Sequence, residues 1–560
     1  MGIPSHLPTT KGTTKQGTIE ECTVVVNISD MQPFTVHFRR PDTKPFKAAE
    51  IKPSMVYYDG SYGFDWLRDE YVYDVEQVHE LGLDPSTGIA KVNRLYQGNV
   101  KDLLNEYTKL NPTDEVIPEI ASIRTILCEP YLPAWLAIFP TDYSSGKNSE
   151  GVDLYLQVEQ EQALGKIIKT LEDPTSINIS FDAGDNSGIT VTATGISTLA
   201  DLIRVADPET DLPFNGSTLL SKTVQRYKDT SKKINIKATT SSNKVRVVKV
   251  IAKTKKFTRT VGLLCIYPNS DIKKADIKVV HCLTHRLPSN DLETMEEKTA
   301  DRVITWTDAN GNTIKGKTQE KITTKPSKWA SSAPNEADIL QELNYKSFNQ
   351  AIIDTTVSTD YISLQNHKEQ RIKNFLSDPN YQKKASYAHF SALIKELANI
   401  YYDELLKKGN IESTNNKTTY LFLTEYVVQD QTITGYIGGA VTPTHTACIG
   451  DKCKTVFEGG NYAIVFETKY PNIHNLVHEL GHSFSLPHTF IDPAVPTAYA
   501  NAHQFYRGYT DNIMDYSGRN KTTTLNKYTM NATFKWQWNL LRNDGTLISS
   551  TDQRLKANEL

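Results

Sequence analysis

The sequence predicts a multidomain α+β protein in which β-rich, β-sandwich-like N-terminal modules precede a C-terminal α/β domain. Three observations support this fold class. The chain has 560 residues, whereas a single hydrophobic core stops growing at about 250–300 residues. Aromatic residues form 9% of the chain, which supplies several cores and excludes disorder as the dominant state. Alternating apolar and polar runs occur in the first half, and a long amphipathic helix pattern lies in the second.

Changes in pattern along the chain indicate where these units begin and end. We predict five segments in chain order: a flexible leader at 1–20, a mixed α/β domain of unknown role at 21–150, one or two β-sandwich-like modules at 151–322, a linker at 323–336, and the C-terminal domain at 337–560. The leader is polar and rich in Thr, Lys and Gly, which is typical of a flexible terminus. The linker contains Lys, Ser and Pro and no periodic pattern.

The predicted sandwich modules rest on two similar strand pairs. Residues 176–181 and 188–194 form the first pair, and residues 233–238 and 244–252 form the second. Each pair alternates apolar and polar residues around a turn rich in Gly, Asn or Ser. This pattern is typical of antiparallel strands that bury one face.

The α/β prediction for the C-terminal region rests on one long helix and the strands that follow it. Apolar residues recur at helical spacing from about 382 to 408, and Gly409 follows as a helix stop. The strand candidates are Thr419–Val427, Thr432–Val441 and Tyr462–Phe466. Strands that pack on a long helix form an α/β domain.

Charge is distributed unevenly along the chain. The formal net charge of −3 argues against a polyanion-binding role for the whole molecule. Residues 221–260, however, carry thirteen Lys or Arg and one acidic residue, Asp229. We interpret this stretch as a solvent-facing strand pair, with adhesion to an anionic surface as the alternative. No interleaved aromatic residues or recognition helix accompany it, so we predict no nucleic-acid partner.

Three features bear on the compartment. The longest apolar stretch, Tyr131–Pro140, has about half of the ~20 residues that a transmembrane helix needs, so we predict no membrane span. The first residues lack a basic segment followed by an apolar one, which is the pattern of a secretory signal peptide. We therefore expect secretion by a route that reads no such signal, with a cytoplasmic location as the alternative. The six cysteines are too few for a disulfide scaffold, and Cys448 and Cys453 are close enough for a local bridge or a reduced pair.

A cluster of histidines near the C-terminal end is the candidate functional site. On a helix, His478 and His482 are four residues apart and therefore lie on one face. A Zn²⁺ site with three nitrogen ligands and one open position needs a further donor. His488 is the candidate, because Pro487 ends the helix and lets the chain turn back. Glu479 is not needed as a ligand and is placed to accept a proton from an activated water.

This stretch resembles the long zinc signature of the metzincin metallopeptidases, His-Glu-x-x-His-x-x-Gly-x-x-His. The resemblance implies a metzincin-like catalytic fold within 337–560, a zinc-dependent endopeptidase activity and a methionine turn, which Asn512–Ser517 fits. It implies that Met514 lies beneath the zinc and that Tyr516 is a movable extra ligand that swings to the oxyanion. Ser485 stands where the signature has a glycine. That glycine lets the chain leave the helix with positive φ, so we expect a serine at this position to lower stability by about 1 kcal/mol.

The same resemblance implies a substrate cleft upstream of the helix. Residues 436–441 would be the edge strand of the cleft, and residues 442–453 the loop above it. An extended peptide can add to such an edge as a further strand. The expected partner is thus a protein or peptide substrate.

Other candidate ligands have simpler interpretations. His281, Cys282 and His285 could bind a metal, but the first two lie on a strand-like run without a fourth donor, so we interpret them as structural. His445 and His503 flank the cluster in sequence, and they either line the cleft or face solvent.

We conclude from the sequence that the chain is a zinc-dependent endopeptidase with Zn²⁺ as its cofactor. One alternative is a secreted effector or toxin whose protease domain is cargo. A second alternative is a non-catalytic, zinc-containing adhesion protein. In the endopeptidase and effector interpretations, the N-terminal modules would engage a secretion apparatus or an anionic surface.

Overall fold

The protein is described from a computed structural model. The described residues are 34–45, 48–67, 76–77, 92–93, 96–127, 131–162, 173–203, 209–210, 223–256, 258–283, 297–307, 313–323, 334–364, 369–377, 387–407, 417–424, 439–440, 445–449, 452–456, 462–466, 472–490, 503–505, 507–508, 510–516 and 529–549. The predicted leader at 1–20 and most of the predicted linker lie outside them. The described part is a mixed α/β structure with several β-sheets and few helices, as the sequence predicts in outline.

The bounds of the strands and helices are as follows. The strands are β1 (Thr35–Arg39), β2 (Gly63–Asp65), β3 (Glu76–Gln77), β4 (Val92–Asn93), β5 (Ala134–Ala137), β6 (Val152–Gln162), β7 (Asn178–Asp182), β8 (Ile189–Ala193), β9 (Glu209–Thr210), β10 (Thr223–Ala238), β11 (Arg246–Lys253), β12 (Thr258–Ile266), β13 (Lys273–Leu283), β14 (Glu297–Thr307), β15 (Thr313–Thr323), β16 (Ile353–Ser363), β17 (Thr418–Thr424), β18 (Gly439–Ala440), β19 (His445–Ile449), β20 (Lys452–Val456), β21 (Tyr462–Phe466) and β22 (Ile548–Ser549). The helices are α1 (Val100–Thr108), α2 (Pro118–Leu127), α3 (Glu336–Lys346), α4 (Gln370–Ser377), α5 (Tyr387–Lys407), α6 (Ile473–Ser483) and α7 (Lys535–Arg542).

Two five-stranded sheets form a β-sandwich in the first half of the chain. One sheet has the order β1-β6-β10-β8, with β9 beside β10, and the other has the order β2-β5-β12-β11-β7. Both sheets contribute to one buried core, which includes Val36, Leu136, Leu156, Ile236 and Val250. Burial alternates along β11, which is the pattern that the sequence predicts for a strand with one buried face.

Strand pairings cross two of the predicted domain boundaries. Strands β1 and β5 precede residue 150, yet they pair with β6 and β12, which follow it. The division at 150/151 therefore runs through both sheets of the sandwich. Strand β13 lies between β16 and β17 in a third sheet, so the C-terminal sheet includes residues that precede 337. Alternation in a sequence identifies a strand but not its partner, so pairings of this kind are not visible in the pattern.

The third sheet carries the helix that holds the histidine cluster. Its order is β16-β13-β17-β21-β18, with β22 beside β13. Strands β16, β13, β17 and β21 are parallel, and β18 is an antiparallel strand at the edge. Phe422 and Phe466 pack on α5 at one face, whereas Leu423 and Val465 pack with α6 at the other. Helix α5 lies within the predicted helical range of about 382–408. No helix in the described ranges is long and apolar enough to cross a membrane.

The core around α6 also includes residues that are distant in sequence. Tyr107, Trp135, Phe348 and Trp538 are buried in the same cluster as Leu480 of α6. The N-terminal half and the C-terminal sheet therefore share one core, which makes the sandwich part of the body that supports α6.

A buried lysine fastens α7 to α1 within this core. Lys535 is fully buried, and its Nζ donates hydrogen bonds to the carbonyl oxygens of Glu106 at 2.8 Å, Lys109 at 2.6 Å and Leu110 at 2.5 Å. The last carbonyls of a helix lack partners within the helix. Lys535 thus satisfies the end of α1 from a distant part of the chain.

Candidate metal centre

Helix α6 presents the candidate ligands from a fixed position. Its N-cap is Asn472, whose side-chain oxygen accepts a hydrogen bond from the backbone N–H of His474 at 3.0 Å. Leu476, Val477 and Leu480 are buried against the sheet. Because these apolar side chains fix the rotation of the helix, the opposite face holds its histidines in one orientation.

The helix ends in a turn that returns the chain toward the cluster. The N–H of Leu486 donates to the carbonyl of Gly481 at 2.9 Å, and the N–H of Ser485 donates to the carbonyl of His482 at 3.0 Å. These two bonds form a Schellman motif, whose penultimate residue adopts the left-handed conformation. Ser485 has φ 68°, which is the positive φ that the sequence predicts at this position. The Ser485 Oγ donates to Asp544 Oδ2 at 2.7 Å, and this bond offsets part of the strain.

Two substitutions of Ser485 separate the strain from the hydrogen bond. We expect Ser485→Ala to lower the free energy of unfolding by about 1 kcal/mol, because it removes the bond to Asp544 and keeps the strain. We expect Ser485→Gly to change it by less than about 0.5 kcal/mol, because relief of a strain of about 1 kcal/mol offsets the lost bond. The midpoints of guanidinium unfolding test this difference. Equal losses in both variants would mean that φ at this residue carries no cost.

Three histidines converge on one point. Nε2 of His488 lies 3.3 Å from Nε2 of His478 and 3.1 Å from Nε2 of His482. His478 and His482 are buried, and His488 is partly buried. Within the described ranges, these are the side chains that could together hold a metal ion. The structure therefore brings together all three predicted ligands.

Backbone carbonyls orient two of the rings. His478 Nδ1 lies 2.8 Å from the carbonyl oxygen of Ile513, and His482 Nδ1 lies 2.7 Å from that of Leu486. A carbonyl only accepts hydrogen bonds, so both Nδ1 atoms carry the proton and both Nε2 atoms present lone pairs to the cluster. Facing lone pairs repel unless a cation lies between them. The donor set thus fits a divalent ion such as Zn²⁺, which takes three imidazoles and keeps one open position.

Burial keeps the imidazoles in the form that binds a metal. Burial lowers the pKa of His478 and of His488 well below the ordinary value, and neighbouring histidines lower both further. A neutral imidazole is the form that coordinates an ion. These two imidazoles are therefore in the form that can coordinate an ion at neutral pH.

Glu479 follows His478 on the same helix and is also buried. Burial raises the pKa of its carboxyl to about 8. A carboxyl group with a raised pKa suits acid–base work near neutral pH, and a neighbouring cation favours its ionised form. Glu479 directly follows His478 in the chain and is not one of the three clustered side chains.

The predicted methionine turn lies directly against α6. Met514 is fully buried, and a Cβ at position 481 would lie 2.7 Å from the Met514 Sδ. Gly481 therefore gives the methionine room beside the ligand His482. The N–H of Met514 donates to Asn512 Oδ1 at 2.9 Å. The Asp515 carboxylate accepts N–H bonds from the turn, including one from Tyr516 at 2.7 Å, so the backbone here is well fixed.

Tyr516 lies beside the histidine cluster. Its ring centroid is 5.3 Å from that of His478 and 4.9 Å from that of His488. The Arg507 guanidinium lies 4.3 Å from the centroid of the Tyr516 ring and 5.1 Å from that of Phe490. These contacts hold the phenol in a group of tilted and edge-on aromatic rings beside one positive charge.

Sequence reasoning missed several neighbours of the cluster. Arg507 and Phe490 carry no spacing signal, since they follow the helix in irregular segments. His474 does carry one, because it lies one helical turn before His478. Its ring centroid is 6.4 Å from that of His478, and burial lowers its pKa to about 4.

Several other predicted residues lie away from the cluster. His503 does not reach it; its Nδ1 is 2.7 Å from the Tyr96 hydroxyl, and its Nε2 is 3.4 Å from Glu106 Oε1. His281 and Cys282 are buried in the sheet, in agreement with a structural interpretation. His285 lies outside the described residues.

Only parts of the predicted cleft are described. Gly439–Ala440 forms the antiparallel edge strand β18, and most of residues 436–444 lie outside the described ranges. The hairpin β19–β20 pairs Cys448 with Cys453 in register. A bridge between these two cysteines stays a prediction.

Comparisons of the chain with models of protein families, with curated proteins and with solved structures give no match. The function is therefore inferred from the residues and geometry of the site. The histidine cluster and the carboxyl group of Glu479 carry that inference.

Proposed function

We propose that the protein is a zinc-dependent endopeptidase in which His478, His482 and His488 hold Zn²⁺. The observation that carries this proposal is the convergence of the three Nε2 atoms. Two of these rings are oriented by carbonyls, as metal-binding imidazoles usually are. The motif resemblance to metzincins supports the same assignment and the metzincin-like interpretation of the α/β sheet.

The chemistry that Zn²⁺ supplies when bound is Lewis acidity, which polarises a carbonyl and acidifies a water. Glu479 accepts the proton of the attacking water at its carboxylate and returns it to the nitrogen of the leaving amine. The Tyr516 hydroxyl donates to the oxyanion that develops on the scissile carbonyl. Tyr516 is held for this role by its contacts with His488, Phe490 and Arg507.

The proposed substrate is a peptide segment in an extended conformation. Strand β18 is the edge strand of the third sheet and pairs antiparallel with β21. An exposed edge offers backbone N–H and C=O groups to a further strand. Because α6 packs against β18 and β21, a peptide added at this edge would run close to the histidine cluster.

A metal and activity assay tests the proposal. Purified protein should contain one equivalent of zinc by mass spectrometry and should cleave a denatured casein. A protein that holds zinc without cleaving any unfolded substrate would favour the adhesion alternative, and a protein without metal would contradict both. The effector alternative shares the chemistry and differs in the route of delivery, so this assay does not distinguish it.

Metal removal should also lower stability. Ligands that bind only the folded state stabilise it by about 4 kcal/mol at 1,000 times the dissociation constant. We therefore expect excess EDTA to lower the melting temperature and abolish cleavage, and stoichiometric Zn²⁺ to restore both. Differential scanning fluorimetry measures the first effect. An unchanged melting temperature after verified metal loss would contradict a buried site.

A further inference from the structure

A contact joins the β-sandwich to the chain segment that leads into the methionine turn. The Asp511 carboxylate, one residue before this turn, is 2% exposed. Its Oδ2 accepts a hydrogen bond from Arg40 Nη2 at 2.6 Å and another from the Thr43 hydroxyl. Arg40 and Thr43 follow strand β1 of the sandwich, so the two parts of the chain meet at this carboxylate.

Arg40 is itself held in place. Its Nη1 donates to Thr43 Oγ1 at 2.9 Å and to the carbonyl oxygen of Pro41 at 3.2 Å. Its guanidinium lies 4.0 Å from the ring centroid of Tyr58. A guanidinium fixed on two sides loses little further freedom when it pairs with a carboxylate. The position of Asp511 is therefore set by the sandwich.

The position of Asp511 fixes that of Ile513, two residues later, whose carbonyl contacts His478. The carbonyl of Asp511 accepts from the N–H of Ala532 at 3.0 Å, and the N–H of Ile513 donates to the carbonyl of Ala532 at 2.9 Å. These bonds make residues 511–513 one rigid segment. The carbonyl of Ile513 in turn accepts the Nδ1 proton of His478.

We infer that Arg40 and Thr43 are positioning residues of the metal centre, which act through Asp511 and the Ile513 carbonyl on the orientation of His478. The inference rests on the metal-binding part of the proposed function and does not require peptidase activity. Groups that orient a metal ligand change metal affinity by about 10–100-fold when they are removed. Because Arg40 acts through one intervening segment, we expect an effect near the lower end of that range.

Arg40→Gln tests this inference, and the neighbouring Arg39→Gln is the matched control. Arg39 donates to Gln157 Oε1 at 3.0 Å and to Asp42 Oδ1 at 3.4 Å, both on the sandwich side. The full-length variants are compared by the dissociation constant for Zn²⁺, measured against a chelating dye, and by the visible absorption of the Co²⁺-loaded protein. We expect Arg40→Gln to bind Zn²⁺ about 10-fold more weakly and to shift the Co²⁺ bands, whereas Arg39→Gln should match the wild type.

Two further variants keep the test decisive. Arg40→Lys retains the charge and should recover part of the affinity. Thr43→Val removes a single hydrogen bond to Asp511 and should weaken Zn²⁺ binding by a smaller factor, even if Arg40→Gln fails to fold. Unchanged Zn²⁺ affinity and Co²⁺ spectra in folded Arg40→Gln or in Thr43→Val overturn the inference and leave the metal centre intact. A wild-type protein that binds neither ion overturns both.

Discussion

Glu479→Gln should lower the rate of casein cleavage by about 10²–10⁴-fold, which is the usual contribution of a general base. The amide cannot accept the proton of the attacking water, so the reaction loses the group that activates the nucleophile and protonates the leaving amine. The variant should still hold one equivalent of zinc, because the ligands that we propose are His478, His482 and His488. Mass spectrometry of the metal and a fluorescent casein assay measure the two quantities together.

The control for this experiment is Glu150→Gln, which removes an exposed carboxylate outside the cluster. We expect it to cleave casein at the wild-type rate. Loss of zinc in Glu479→Gln would mean that the carboxylate holds the ion or the local fold, and retained cleavage would assign the proton transfer to another group. Either result contradicts the proposed role of Glu479.

Lys535→Met should lower the free energy of unfolding by about 3 kcal/mol, because the buried carbonyl of Glu106 and the partly buried carbonyls of Lys109 and Leu110 lose this donor. Methionine has a similar length and fills the same space, so the loss reflects hydrogen bonding and not a cavity. Guanidinium unfolding measures the effect. Lys101→Met, on the exposed side of α1, is the control and should change stability by less than about 0.5 kcal/mol.

The lowered pKa of Lys535 predicts that the free energy of unfolding depends on pH. Burial lowers the pKa of Lys535 to about 8 from its ordinary value of 10.5, although Glu106 and Asp65 oppose the shift. Between these two values the unfolded chain binds more protons at this residue than the folded protein does. The free energy of unfolding therefore rises with pH in this window. The stability difference between wild type and Lys535→Met should grow from pH 8 to 10.5, and a constant or shrinking difference would contradict the shift.

The sequence predicts the parts of the site that depend on short spacings. His478 and His482 are one helical turn apart, and Ser485 adopts the positive φ expected of the glycine that it replaces. These features follow from local backbone geometry, which a single sequence records.

The remaining features depend on contacts between distant segments. Arg40 and Asp511 are separated by 471 positions, and no periodicity connects them. Strand β13 has the alternation of the preceding sandwich strands, yet it pairs with β16 and β17. The partner of a strand or side chain is decided by packing in three dimensions. Neither the contact of Arg40 with Asp511 nor the boundaries of the sheets could therefore be predicted from pattern alone.

The central place of β13 has a consequence for how such a chain can be cut or recombined. A fragment that begins at residue 337 would lack the strand between β16 and β17, and its sheet would split into two parts with newly exposed edges. Grafting the C-terminal half onto a foreign carrier at that point would therefore yield an aggregating product. A gene fusion that keeps this sheet intact must therefore join the two coding sequences upstream of residue 273.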